Sequence, residues 1–124
     1  MTPALAVQKA VRLALANVAG GRVYDRVPSP ITWPFVRIGE DDLQADHEFG
    51  DFWRVTVKVT AHSQAVGKPE VKSIVGEIAT ALMTDLALDG WAIIESDEPL
   101  IRFFTAPDGK SEQGAFQIEY LIQP

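Results

Sequence analysis

The chain contains no cysteine. That excludes disulfide staples, thiolate metal sites and a cysteine nucleophile, and it fits a reducing compartment. Basic residues are scarce as well: 11 Lys and Arg stand against 17 Asp and Glu, giving a net charge of −6 and a pI near 4.8. A chain this acidic lacks the broad basic footprint with which proteins grip a phosphate backbone. No apolar run approaches the length of a membrane-crossing helix. Lys9 and Arg12 interrupt the apolar N-terminal stretch and no small-residue cleavage pattern follows, so no secretory leader is expected. With no internal repeat, low-complexity tract or linker in its 124 residues, the sequence predicts one domain over 1–124. A domain of that size buries about two-thirds of the surface of its unfolded chain and needs neither metal nor cofactor to fold.

What the sequence does contain is one long strand signal, Asp51 to Ser63. Trp53, Val55, Val57, Val59 and Ala61 alternate with Arg54, Thr56, Lys58, Thr60 and His62, which predicts a strand with one buried face and one wet or contacting face. A one-residue slip would expose the whole apolar set, so this strand fixes the register of its neighbours and belongs in the middle of a sheet.

Two helices flank it in sequence. Thr2 and Pro3 form a helix-opening pair, followed by Ala4, Val7, Val11, Ala14, Leu15 and Val18 at helical spacing and ended by Gly20 and Gly21. Its polar face carries too few cations for a membrane-surface helix, so it reads as a cover on the sheet. Pro69 opens the second helix, Glu70 sits in its first turn, and Val71, Ile74, Val75, Ile78, Ala81 and Leu82 form a continuous apolar stripe. Phe35 to Ile38, Trp91 to Ile94, Leu100 to Phe104 and the alternating Phe116, Ile118, Tyr120 and Ile122 read as further strands. Glu95 to Pro99 reads as a turn, and Pro107-Asp108-Gly109 as a turn that makes the last two strands an antiparallel hairpin. Asp41 to Gly50 reads as a polar, acid-rich loop. The order is helix, two or three strands, helix, three strands.

Groups able to do chemistry are few. Glu40, Asp41, Asp42, Asp46, His47 and Glu48 crowd one segment, but the calcium-loop pattern of alternating acids followed by Gly is absent, so the segment reads as solvated and no metal site is assigned. His62 and Ser63 are adjacent in a strand and point to opposite faces, which is not the arrangement of a base and its nucleophile. Gly20-Gly21 lacks the spacing and lysine of a phosphate loop. Glu95, Asp97 and Glu98 sit at a turn rather than in a cleft. No catalytic residue, cofactor or enzymatic activity is assigned.

Aromatic residues beside loops stand out more. Trp33 precedes Pro34, Phe49 ends the acidic segment, Phe52 falls on the polar side of the central strand, and Phe103 and Phe104 are adjacent. Two adjacent strand aromatics are both accommodated if helices cover both faces of the sheet, or if one of them meets another subunit, where aromatics are enriched. The candidate subunit-interface residues are Trp33, Asp41, Asp42, Phe49, Phe52 and Arg54.

Four segments in order carry a family resemblance: Gly20-Gly21-Arg22-Val23-Tyr24-Asp25 with Val27-Pro28, Pro34-Phe35-Val36-Arg37-Ile38-Gly39, Leu88-Asp89-Gly90, and Pro107-Asp108-Gly109 ahead of Gly114 and Phe116. Together, across essentially the whole chain, they resemble the tail-completion or tail-terminator proteins of long-tailed bacteriophages, prophages and gene transfer agents. The resemblance implies an α+β fold, a mixed or mainly antiparallel sheet of about five strands flanked by two helices. It implies a homo-oligomeric ring, usually of six, on the last ring of the tail tube, made in the bacterial host cytoplasm and located in the virion at the head–tail joint. Its partners would be the major tail-tube protein and the head–tail connector protein, with DNA passing through the ring without sequence-specific binding and no membrane involved. Such proteins are not enzymes, and a ring requires two different patches that meet head to tail and close by rotation. The competing readings are another head–tail connector or head-completion protein of the same particle, and a small host regulatory module that dimerises through its sheet. A hydrolase or isomerase is disfavoured because no nucleophile, base and oxyanion donor can be assembled from these residues.

Overall fold

The computed structural model describes residues 1–46, 50–84 and 86–124. Helix α1 spans Pro3–Ala14, and Thr2 caps it, its hydroxyl accepting from the Leu5 amide at 3.3 Å. The helix ends before the glycines expected to stop it. A 3₁₀ turn over Val18–Gly21 follows, in which Ala19 (φ 51°) and Gly20 (φ 65°) are left-handed, so the glycine pair shapes this turn rather than the helix end.

Six strands follow in one sheet: β1 (Val23–Tyr24), β2 (Phe35–Asp46), β3 (Phe52–Ser63), β4 (Ala92–Ser96), β5 (Leu100–Thr105) and β6 (Glu112–Gln123). Helix α2 (Pro69–Met83) links β3 to β4. The spatial order is β1-β2-β3-β6-β4, with β5 also paired to β6, so β3 lies at the centre as its alternation predicts. Only β1 and β2 run parallel; the other pairs are antiparallel, and β5 and β6 form the expected hairpin. The fold is α+β with a mixed open sheet.

The core lies on one side of that sheet. Val55, Val57, Val59 and Ala61 of β3 are fully buried, as are Phe116, Ile118, Tyr120 and Ile122 of β6, and they pack in one cluster with Val7, Val11 and Leu15 near α1 and Val71, Ile74, Val75, Ile78 and Leu82 of α2. Both helices therefore cover the same face, which corrects the expectation of helices on both. The reason is in the alternation itself: Thr56, Lys58 and Thr60 on β3, and Gln117 and Glu119 on β6, leave the other face little apolar surface for a helix to bury. Two close ties hold α2 down. The Tyr120 hydroxyl donates to the Leu82 carbonyl at 2.7 Å in the buried interior, and burial raises the phenol's pKa well above its usual value. At Gly114 an added Cβ would sit 2.5 Å from Val75 Cγ2 and 3.1 Å from the Phe103 ring, so only glycine admits this approach.

Two expected loops are corrected. Asp41–Asp46 is the outer half of β2, laddered to β3 from Asp41↔Val57 to Asp46↔Phe52. Asp disfavours strands, but alternation of Asp41, Leu43 and Ala45 against Asp42, Gln44 and Asp46 opposite an unbroken β3 overrides local propensity. A one-residue bulge between Ile38 and Asp41 sets the phase, and Gly39 fits there because a Cβ would lie 2.9 Å from the Lys58 carbonyl oxygen. Glu95 to Pro99 does not reverse the chain either. β4 and β5 run on along the same edge of β6, with one extra residue between Ile93 and Glu95 and another between Ser96↔Tyr120 and Leu100↔Gln117. The acids and proline there mark bulges in an edge strand.

The two kinds of glycine separate cleanly. Gly114→Ala is expected to destabilise the fold by about 1–3 kcal/mol, because Val75 is locked in the core and cannot yield. Gly76→Ala, on the exposed side of α2 with nothing within 4 Å of its Cβ, is expected to stabilise it by about 0.5–1 kcal/mol. Urea unfolding of the two variants measures both signs.

Candidate functional site

The sheet face turned away from the helices is covered by no helix, and three groups of side chains lie along it, one of which buries Phe35. At the end nearest the β2–β3 connection, Lys58 Nζ meets Asp42 Oδ2 at 2.9 Å, while Arg54 reaches Asp46 at 3.5 Å and Glu119 at 3.4 Å. Phe52, half-buried, is paired across the ladder with Asp46. The Lys58 pKa is raised by its hydrogen bond to Asp42 and the carboxylate's charge. All three ion pairs are open to water, so they set the charge pattern of the surface more than they hold the fold together.

At the opposite end, Trp33 packs edge-on against Phe35 with centroids 4.9 Å apart, and Phe35 stacks on His62 at 4.6 Å with planes 9° apart. The His62 ring also meets the Thr60 hydroxyl at 3.0 Å. Burial and the nearby Arg37 charge lower the His62 pKa, so the stacked imidazole is neutral at neutral pH. Between these ends lies a hollow of ≈ 380 Å³ bordered by Lys58, Thr60, Leu100, Arg102, Ala115 and Gln117. Ten strand residues separate the two ends, on the order of 30 Å at the usual rise.

The structure thus brings together Asp42, Phe52 and Arg54 and sets Trp33 apart from them. Asp41 stands on the other face, opposite Val57 and towards the helices. Phe49, like His47 and Glu48, lies outside the described residues. Among the described residues the acids of this segment do not converge, since Asp41 points inward while Asp42 and Asp46 point outward. Ser63 is buried and donates to Glu70 Oε1 at 2.7 Å, accepting in turn from the Ala65 amide at 3.1 Å; it fastens the β3–α2 connection and does not meet His62.

Sequence reasoning missed the exposed apolar groups. Leu5 and Leu13 on α1 and Ile94, Leu100 and Ile101 on the β4–β5 edge are all open to solvent, whereas of the adjacent pair Phe103 and Phe104 one does turn from the core as the sequence requires, Phe103 packing against it and Phe104 standing exposed. The signal was present for α1, where Leu5 and Leu13 fall off the buried stripe of Val7 and Val11.

Asp41 also carries a testable penalty. Its Oδ1 is buried without a hydrogen-bond partner among the described residues, and burial, then Asp25 and Asp42, raise its pKa above the ordinary 3.8. The folded state therefore holds this proton more tightly than the unfolded chain. The resulting stabilisation is complete below 3.8 and is lost as pH rises through the raised value. Asp41→Asn is expected to raise the melting temperature at neutral pH, with the gain shrinking towards about pH 3; thermal unfolding at both pH values checks it.

The whole chain can be set beside known proteins. The family described as "Tail completion protein gp17" matches residues 3–123. No curated protein matches. Among solved structures, a chain of the "Virion of native gene transfer agent (GTA) particle" superposes with a TM-score of 0.81 at 21% identity, over 98% of this chain and 97% of that one. That likeness establishes a shared fold, and the family match, covering nearly every residue, establishes kinship: the chain belongs to the gp17 tail-completion family.

Proposed function

We propose that the chain, acting as one domain over 1–124, forms a closed ring of six that caps the tail tube, stops tube polymerisation and offers the surface to which the head–tail connector docks. Membership of a tail-completion family over residues 3–123 is the observation that carries this reading and makes the chain a structural component of a virion tail. The similar chain in a gene transfer agent virion supports a virion particle as its setting. The role is structural and not catalytic: His62 and Ser63 serve a stack and a strand–helix junction.

The bare sheet face fits an assembly surface better than a substrate site. It is long and shallow, and it combines aromatic anchors at Trp33 and Phe52 with the charged network of Asp42 and Arg54. We assign the two ends of this face to the neighbouring rings, one end to the tail tube and the other to the connector. The chain's net charge of −6 leaves transiting DNA repelled rather than held.

Electron microscopy of particles from a producing strain lacking this gene tests the reading. Overlong or irregular tails without heads are expected, and complementation restores both length and attachment. Normal tails with heads attached would overturn it, and tails of correct length with unjoined heads would favour a connector component. On the bare face, Arg54→Glu is expected to leave the melting temperature nearly unchanged while lowering head-joined particles by roughly tenfold or more, as loss of an interface anchor does.

A further inference from the structure

Nine large apolar side chains are exposed among the described residues, and seven of them fall into two patches. Met1 (61%), Leu5 (56%) and Leu13 (68%) lie on the outside of α1, around a hollow of ≈ 420 Å³ that Lys9 and Arg12 also line. Along the β4–β5 edge, Leu100 (52%) and Phe104 (41%) stand on the helix-free side of β5 and Ile101 (38%) on the helix side, with Ile94 (46%) further along on β4. The two patches sit on different elements, one on the outer side of the helical layer and the other at the lateral edge of the sheet.

The edge patch is unusual for a strand that ends a sheet. Free edges are normally guarded by charge, proline or a covering element, because their unpaired amides and carbonyls accept other chains. Here bulges and Pro99 guard only the middle of the edge, whereas Leu100–Thr105 is regular, apolar on both sides and charged only at Arg102. Exposed Glu95, Asp97 and Glu98 stand beside it, and no cation among the described residues meets their carboxylates.

We infer that the outer face of α1 of one copy covers the β4–β5 edge of the next, making the head-to-tail contact of the ring. This rests on the tail-ring reading above. Charge selects the pairing. The sheet's other free edge, the outer half of β2, carries Glu40 beside Asp42 and Asp46, which Lys58 and Arg54 already pair, and it has no Lys or Arg of its own to offer the acidic β4–β5 edge. The rim of the α1 patch carries Lys9 and Arg12, half-exposed even while paired with Asp89 and Asp25, and brings cations to Glu95, Asp97 and Glu98. Apolar centres then meet apolar centres, and because the two patches differ, the contact is heterologous and propagates until it closes.

The absence of native cysteine makes a clean test available. A Leu5→Cys/Leu100→Cys chain replaces the native one in a producing strain, and purified particles are treated with a short thiol-specific cross-linker. The expected result is a denaturing-gel ladder that consumes most of the monomer and ends at the closed ring, with each single-cysteine chain remaining monomeric. The same treatment is applied to concentrated purified protein, with a Gln44→Cys/Arg102→Cys chain as the edge-to-edge control. If the chain is in the particles, by immunoblot, but the Leu5/Leu100 pair gives no ladder, the contact is wrong while the tail reading stands; a ladder from the control pair would then identify strand addition. If the chain is missing from the particles, the tail reading fails, and the gel of the purified protein alone decides the contact.

Discussion

Four side chains of β3, Val55, Val57, Val59 and Ala61, and their partners Phe116, Ile118, Tyr120 and Ile122 on β6 face the same way and none is appreciably exposed. Strand pleating forces the intervening residues to the other side, where they are polar. Everything else in the architecture follows from burying that one surface. Two helices of amphipathic sequence have only one place to go. They are held close where Val75 packs over Gly114 and where the Tyr120 hydroxyl donates to the buried carbonyl of Leu82 near the end of α2. The opposite face is left uncovered.

That one-sidedness shapes the assembly chemistry. A sheet face free of helices and built on strands of 12 residues, patterned by water-exposed ion pairs at one end and an aromatic stack at the other, offers a broad contact surface. Because the sheet is open rather than closed, it also has two edges of different character. The β2 edge is acidic and polar, while the other is apolar along β5 with acids beside it, and the surface unlike that second edge is the outer face of α1 with Lys9 and Arg12. Unlike ends on one subunit are what a rotational head-to-tail assembly requires, whereas a dimer closed by a two-fold axis needs a single self-complementary patch. The fold thus sits more comfortably with a ring than with a sheet-mediated dimer.

Much of this was legible in the residues. The alternation of β3 and β6, the Thr2-Pro3 cap and the α2 stripe specified their elements because each combined local propensity with an uninterrupted period. The acidic half of β2 was not legible, since Asp41, Asp42 and Asp46 look like a loop until β3 is seen to ladder with them and a bulge at Gly39 resets the phase. The same holds for Glu95 to Pro99, where turn chemistry serves bulges in an edge. Of the candidate interface residues, Asp42, Phe52 and Arg54 share one face, but sequence spacing alone could not place Asp41 behind it, because the phase reversal comes from backbone pairing. The covering of a single face was readable in principle from the polar halves of β3 and β6. The exposed leucines of α1 were obscured by the stronger core stripe beside them.

The central claim is a ring of copies whose sheets are joined by unlike surfaces at the head–tail joint. A cryo-electron microscopy reconstruction of that joint tests it most directly. The account predicts one closed ring of this fold at the head-proximal end of the tube, with α1 of each copy against the β4–β5 edge of the next and the two ends of each helix-free sheet face at the adjoining rings. Density for this fold elsewhere in the particle, or copies joined through their bare faces in two-fold pairs, would contradict it.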